Sequence, residues 1–180
     1  MNAVPGADVS VRIAWPADAG AIADLQLDGW YADALAARLT EHGLARDDLV
    51  EAVRRGLAQP PEARDRCLVA LAGARVVGYA YTGPATDPDC DPAVDGEITE
   101  LVVGGAETGH GHGSRLLQAC ADTLAADRFT RALHWLPTTD DATRAFLESA
   151  GWAPDGATRE LADELSGRPL RQVRLHTALA

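Results

Sequence analysis

The 180-residue chain contains no lysine: all 16 of its basic residues are arginine, set against 27 aspartate and glutamate residues for a formal charge of -11. A phosphate loop of the GxxxxGK[ST] type is therefore excluded, and a surface of this sign repels a nucleic-acid backbone or an anionic membrane. No physical requirement forbids lysine, so the bias reads as codon usage in a GC-rich genome. The three cysteines, Cys67, Cys90 and Cys120, are odd in number and lack CxxC spacing. Neither a disulfide framework nor a zinc site is indicated, and a reducing compartment suits them better. No basic-then-apolar leader and no run long enough to span a bilayer is found, so a soluble cytoplasmic protein is expected, with one domain over residues 1–180.

Along the chain, VSVRIA (Val9 to Ala14) alternates as a strand and Trp15-Pro16 marks the turn into a helix. From Pro16 to about Leu57 apolar residues recur at helical spacing, with breaks near Gly29 and His42-Gly43, giving two or three helices. CLVALA and RVVGYAYT, separated by Gly73-Ala74, form a hairpin signal. Gly83 to Gly96, with three prolines and four aspartates, reads as a solvated acidic loop. Its order does not match a calcium loop. EITELVV is then a strand, GGAETGHGHG a glycine loop, SRLLQACADTLAADR a helix, RALHWLP a strand, DDATRAFLESAGW a short helix ended by Gly151, and LRQVRLHTAL a final strand.

A glycine loop that opens a helix aims several backbone N–H groups and the positive end of the helix dipole at one point, which suits a phosphate. Gly109, Gly111 and Gly113 allow a diphosphate to approach the backbone. A dinucleotide GxGxxG does not fit: counting from Gly109 the third position is Ser114, and from Gly111 it is Leu116. The pair His110 and His112 lacks a third ligand at metal spacing, so no metal is assigned.

ELVVGGAETGHGHGSRLL resembles the coenzyme A pyrophosphate motif of GNAT acetyltransferases, and LHWLPTTDDATRAFLESAGW resembles the family's second signature, with Trp135, Phe146, Gly151 and Trp152 in register. The similarity in element order runs from Val9 to Leu179, and the carboxy-terminal segment together with the lysine-free composition resembles actinobacterial-type members. The resemblance implies an α/β (α+β) GNAT fold: a central mixed, mostly antiparallel sheet of about six to seven strands flanked by helices, in the order β-α-α-β-β-β-α-β-α-β-β. It also implies an acetyl-coenzyme A-dependent N-acetyltransferase acting on a primary amine of a small molecule or peptide by direct attack in a ternary complex. A non-catalytic acyl-coenzyme A binding module is the alternative.

The same resemblance implies the site. Backbone N–H groups of Leu101, Val102 and Val103 would bind pantetheine, one of them as the oxyanion donor. Thr108, Gly109, His110, Gly111, His112, Gly113 and Ser114 would hold the pyrophosphate, with ring N–H donors from the two histidines. Asp140 and Phe146 complete the cofactor positions by motif. Ala106 and Thr108 stand where Gln or Arg is usual, Asp140 replaces the usual Asn, and Leu147 replaces the Tyr that often protonates the leaving thiolate. Phe146 is expected in the core, with residue 147 turned towards the sulfur. Tyr79 and Tyr81 are alternative donors, although strand tyrosines usually pack in cores. The base is sought among Glu100, Glu97 and Asp95, with Glu100 preferred; period-two alternation puts Glu97 and Glu100 on opposite faces. Trp135 and Trp152 read as core aromatics, Trp30 and Tyr31 as acceptor-pocket candidates. The charge of -11 favours a cationic acceptor.

Overall fold

The computed structural model describes residues 9–29, 32–162 and 169–180; Trp30 and Tyr31 lie outside them. Strand β1 (Val9–Ile13) leads into helices α1 (Ala19–Asp28), α2 (Ala32–Glu41) and α3 (Arg46–Ala58). Strands β2 (Arg66–Ala72), β3 (Arg75–Pro84) and β4 (Asp95–Val103) follow, then helix α4 (His112–Ala126), strand β5 (Arg131–Pro137), helix α5 (Asp141–Ser149), and strands β6 (Ala153–Leu161) and β7 (Leu170–Ala178). The seven strands form one sheet in the order β1-β2-β3-β4-β5-β7-β6. β4 and β5 pair in parallel from Asp95↔Arg131 to Glu97↔Leu133, while β1–β2, β5–β7 and β6–β7 are antiparallel. The sheet is the mixed, mostly antiparallel α/β arrangement that the element order implies.

By contact density the chain divides into two compact units, residues 1–81 with 100–120, and residues 82–99 with 121–180. In the first, the core gathers Ile22 and Ala23 of α1, Val50 and Val53 of α3, Cys67 and Val69 of β2 and Tyr79 of β3. Near the starts of α1 and α3 a carboxylate binds a backbone N–H three residues earlier. Asp18, buried before α1, accepts the Trp15 N–H at 2.7 Å and is clasped by Arg12 at 2.7 and 2.9 Å. Hydrogen bonding to Arg12, against a smaller desolvation cost, holds the Asp18 carboxyl below its ordinary value. Asp48 closes the first turn of α3 on the Ala45 N–H, and Arg46 ties that helix to Asp24 of α1 at 2.6 Å.

In the second unit Ile98, Leu124, Phe129, Leu133, Leu136, Leu147, Trp152 and Leu175 are buried. Gly96 is small for a packing reason, because an added Cβ would stand 2.7 Å from the Leu124 side chain and 3.0 Å from the Phe129 ring. Strand β6 escapes the alternation rule: its opening residues are Ala153, Pro154, Asp155 and Gly156, the last at φ +90, and its register against β7 shifts between Pro154 and Thr158. Such a bulge erases the period-two signal.

β4 carries a second irregularity, which matters for the site. The Gly104 N–H bonds to the Val77 carbonyl at 2.9 Å, and the Ala85 N–H to the Asp95 carbonyl at 2.9 Å. Between these two bonds β3 advances from Val77 to Ala85 and β4 from Asp95 to Gly104, one residue more. β4 therefore bulges, and alternation cannot be counted through it. The expected opposition of Glu97 and Glu100 loses its basis there.

Candidate active site

The glycine loop and the end of β4 belong to the first unit. Leu101, Val102 and Val103 are half-buried. Gly78 of β3 lies so close that an added Cβ would meet the Val102 carbonyl at 2.7 Å. After Gly104 the chain makes a short turn over Gly105–Glu107 and enters α4 at His112. Gly109 and Gly111 take φ of +83 and +86, and an added Cβ at either would find nothing within 4 Å. The loop is thus open around these two glycines, in a left-handed conformation natural to glycine. It is followed by a helix start, whose first N–H groups have no partner within the helix. Thr108, His110 and Ser114 are exposed and Gly113 is half-buried. This arrangement fits an anionic diphosphate.

His112 departs from the expected arrangement. Its side chain is 1% exposed, both ring nitrogens are buried without a hydrogen-bond partner, and Nε2 lies 3.6 Å from Glu107 Oε2. The ring therefore points into the protein rather than out of the loop, because the first turn of α4 places residue 112 on the buried face it shares with Leu116. Glu107 accepts from Arg75 at 2.5 Å, and that bond lowers its carboxyl from the ordinary value.

Above the loop, Glu100 is half-buried and accepts the Tyr79 hydroxyl at 2.5 Å on Oε2. Burial, with the Glu100 charge second, drives the Tyr79 hydroxyl far above its ordinary value, so it remains a donor. Tyr81 stacks edge-on to Tyr79 at 5.6 Å, and burial pushes the Cys67 thiol up to about 12.

The other candidate carboxylates belong to the second unit. Asp95 is held by Arg131 through two 2.8 Å bonds and accepts the Asp91 N–H, which makes it a structural anchor. Glu97 is 6% exposed and its carboxyl is raised, first by desolvation and then by the Asp87 charge. The ring of His134 reaches the Ile98 carbonyl at 2.6 Å. A carbonyl can only accept, so Nδ1 carries the proton, and burial favours the neutral ring by lowering its value.

The acidic segment after β3 is not simply solvated. Arg174 of β7, its side chain 5% exposed, binds Asp155 at 2.7 Å, Asp89 at 2.6 and 2.8 Å and Asp87 at 3.3 Å. Trp135 donates Nε1–H to Asp87 at 2.7 Å, and the Arg159 guanidinium lies 4.2 Å from its ring centroid. Asp87, Asp89 and Cys90 come within 4.8 Å of one another. The guanidinium of Arg174 already occupies that cluster, so it serves as a charge tie.

Two motif positions of α5 also differ from expectation. Leu147 is fully buried and Phe146 half-buried, the reverse of the expected placement. The helix Asp141–Ser149 sets its buried face at residue 147, whose carbonyl also receives the Trp152 N–H at 3.1 Å. Asp140 is the N-cap of α5 and accepts the Thr143 N–H at 3.0 Å. A carboxylate performs that role as well as the usual Asn.

Taken together, these elements make an α/β protein in which a glycine-rich loop leads from β4 into the start of α4. The sequence matches the model of the acetyltransferase (GNAT) family over residues 27–152, and the chain belongs to that family. A search of curated proteins finds no match. Among solved structures it is similar to yncA, a putative acetyltransferase from Salmonella typhimurium with its cofactor acetyl-CoA. That match has 18% identity and a TM-score of 0.70, covering 96% of this chain and 95% of that one. It is also similar to the ribosomal-protein-alanine N-acetyltransferase of Brucella melitensis, with 20% identity, a TM-score of 0.71 and coverages of 94% and 99%. An N-acetyltransferase from Staphylococcus aureus Mu50 matches at 17% identity, TM-score 0.72, with coverages of 96% and 99%. Among the described residues no helix is long and apolar enough to cross a membrane.

Proposed function

We propose that the chain is an acetyl-coenzyme A-dependent N-acetyltransferase acting on a primary amine of a small molecule or peptide in a ternary complex. The observation that carries this reading is the open, positive-φ loop Gly109–Gly111 at the start of α4, directly after a bulged β4, in a member of the family. The solved yncA structure, described with acetyl-CoA, supports the cosubstrate. Backbone N–H groups of residues 109–114 would hold the diphosphate, and those of Leu101, Val102 and Val103 the pantetheine arm and the thioester oxygen. Phe146 and Asp140 keep their motif positions on α5, Asp140 as its cap.

In the reaction a carboxylate removes a proton from the ammonium, and the neutral amine attacks the thioester carbonyl. The C–N bond forms, the C–S bond breaks, the attacking nitrogen releases its second proton to solvent, and coenzyme A leaves as a thiolate that is protonated from solvent. Glu100 is the base in this reading, being half-buried and held by Tyr79. Glu97 is the second candidate, because burial raises its carboxyl towards neutrality. A charge of -11 supports a cationic acceptor, and the arginine-only composition supports a member of actinobacterial type.

The test combines calorimetric titration of acetyl-coenzyme A with thiol release over an amine panel. Binding that Gly111→Asp abolishes, with release above background, is the expected result. Binding without release for any amine would instead support a non-catalytic acyl-coenzyme A module, and unchanged affinity in the variant would sink the loop assignment.

A further inference from the structure

Tyr79 is 2% exposed and belongs to the core cluster that holds α1 against β2 and β3, yet its hydroxyl leaves that apolar setting to meet Glu100 Oε2 at 2.5 Å. The hydroxyl hydrogen is committed to Glu100, so the phenol oxygen can only accept from other groups. The Gln26 amide on α1 acts on that hydroxyl as a hydrogen-bonding neighbour, and its Oε1 is buried without a hydrogen-bond partner. A buried amide oxygen left unpaired is costly, of order 1–3 kcal/mol by general experience.

We propose that Tyr79, itself oriented by Gln26, is a positioning residue for Glu100: it engages Oε2 and leaves Oε1 as the oxygen that takes the acceptor's proton. The relay runs from the last turn of α1 through the core to β4, where it fixes the carboxylate. This inference rests on the reading of Glu100 as the base.

The experiment measures kcat and KM for thiol release from acetyl-coenzyme A, using whichever of ethylamine, putrescine and an alanine-terminated peptide turns over fastest. Tyr79→Phe removes one oxygen and keeps the ring. It is expected to lower kcat roughly ten- to hundred-fold, as befits a lost hydrogen bond to a charged group, with KM for acetyl-coenzyme A unchanged. In a Glu100→Gln background the same change should add nothing. Gln26→Leu, at a half-buried helix position, should reproduce a smaller kcat loss and serves if Tyr79→Phe does not fold. An unchanged kcat in a folded Tyr79→Phe or Gln26→Leu protein, or losses that multiply with those of Glu100→Gln, overturns the relay. Full activity in Glu100→Gln, or no turnover of any amine by the unaltered protein, overturns the reading beneath it.

Discussion

Replacing Gly78 by alanine tests whether the geometry of β4 governs coenzyme binding. The new Cβ would stand 2.7 Å from the Val102 carbonyl oxygen and 3.2 Å from Val103 Cγ2. Because the nearer atom is backbone, it cannot be relieved by a rotamer change, and β4 must shift by about 0.7 Å to restore ordinary contact. Overpacking of this kind costs about 1–3 kcal/mol, and alanine returns about 0.4–1 kcal/mol by restricting the unfolded chain. The net loss of about 0.5–2 kcal/mol lowers Tm by about 1–8 °C for a chain of this length. The displaced atoms belong to the Leu101–Val103 backbone, where a 1 Å error can cost about 100-fold, so roughly a tenfold loss in acetyl-coenzyme A affinity or turnover is expected. Gly73→Ala is the control: φ is +60 and nothing lies within 4 Å of its added Cβ. Left-handed strain alone should cost it about 1–2 kcal/mol of stability, lowering Tm by about 2–8 °C, and leave affinity untouched. Differential scanning fluorimetry and calorimetry on both variants decide the matter. A Gly78→Ala protein with the affinity and turnover of its parent would refute the argument.

Two further outcomes follow from burial. Glu97 has a raised folded-state carboxyl, so the folded protein binds its proton more tightly than the unfolded chain and this group's contribution to stability falls as pH rises past the ordinary value of 4.5. Glu97→Gln should therefore raise Tm at pH 7, with the gain vanishing below about pH 4.5; a gain that persists or grows in acid contradicts the burial argument. Leu147→Tyr, at a fully buried position, should lower Tm by several degrees through overpacking and an unpaired hydroxyl. A variant with unchanged Tm and faster thiol release would show that residue 147 reaches the thioester after all.

Much of the fold was legible because its elements keep their periods. RALHWLP matches β5 from Arg131 to Pro137, and the breaks at Gly29 and Gly43 separate three helices. What escaped the sequence lies where alternation fails. β6 hides behind Pro154, Asp155 and Gly156, and the β4 bulge is invisible without its ladder bonds to β3. The Glu97–Glu100 face argument loses its footing for that reason. In the site, the glycine loop was legible because positive φ restricts composition. The inward turn of His112 and the exchange of Phe146 and Leu147 were not, since the buried face of a helix end is settled by packing a few residues away. Nothing local announces that Tyr79 meets Glu100 or that Arg174 collects three aspartates from distant segments.

That arginine makes loop length a matter of charge. Arg174 reaches Asp87 and Asp89 with one nitrogen, Nη1, while its Nε holds Asp155 across on β6. An extra residue inserted between Asp87 and Asp89 would pull a carboxylate off a guanidinium that is almost wholly enclosed, and the stranded charge would have no water to turn to. At the turn on Gly43, beside the exposed Leu44, an added Cβ meets nothing within 4 Å. Length variation among relatives of this chain should therefore collect between α2 and α3 and avoid the span from Asp87 to Asp89, despite the proline-rich, loop-like look of that span.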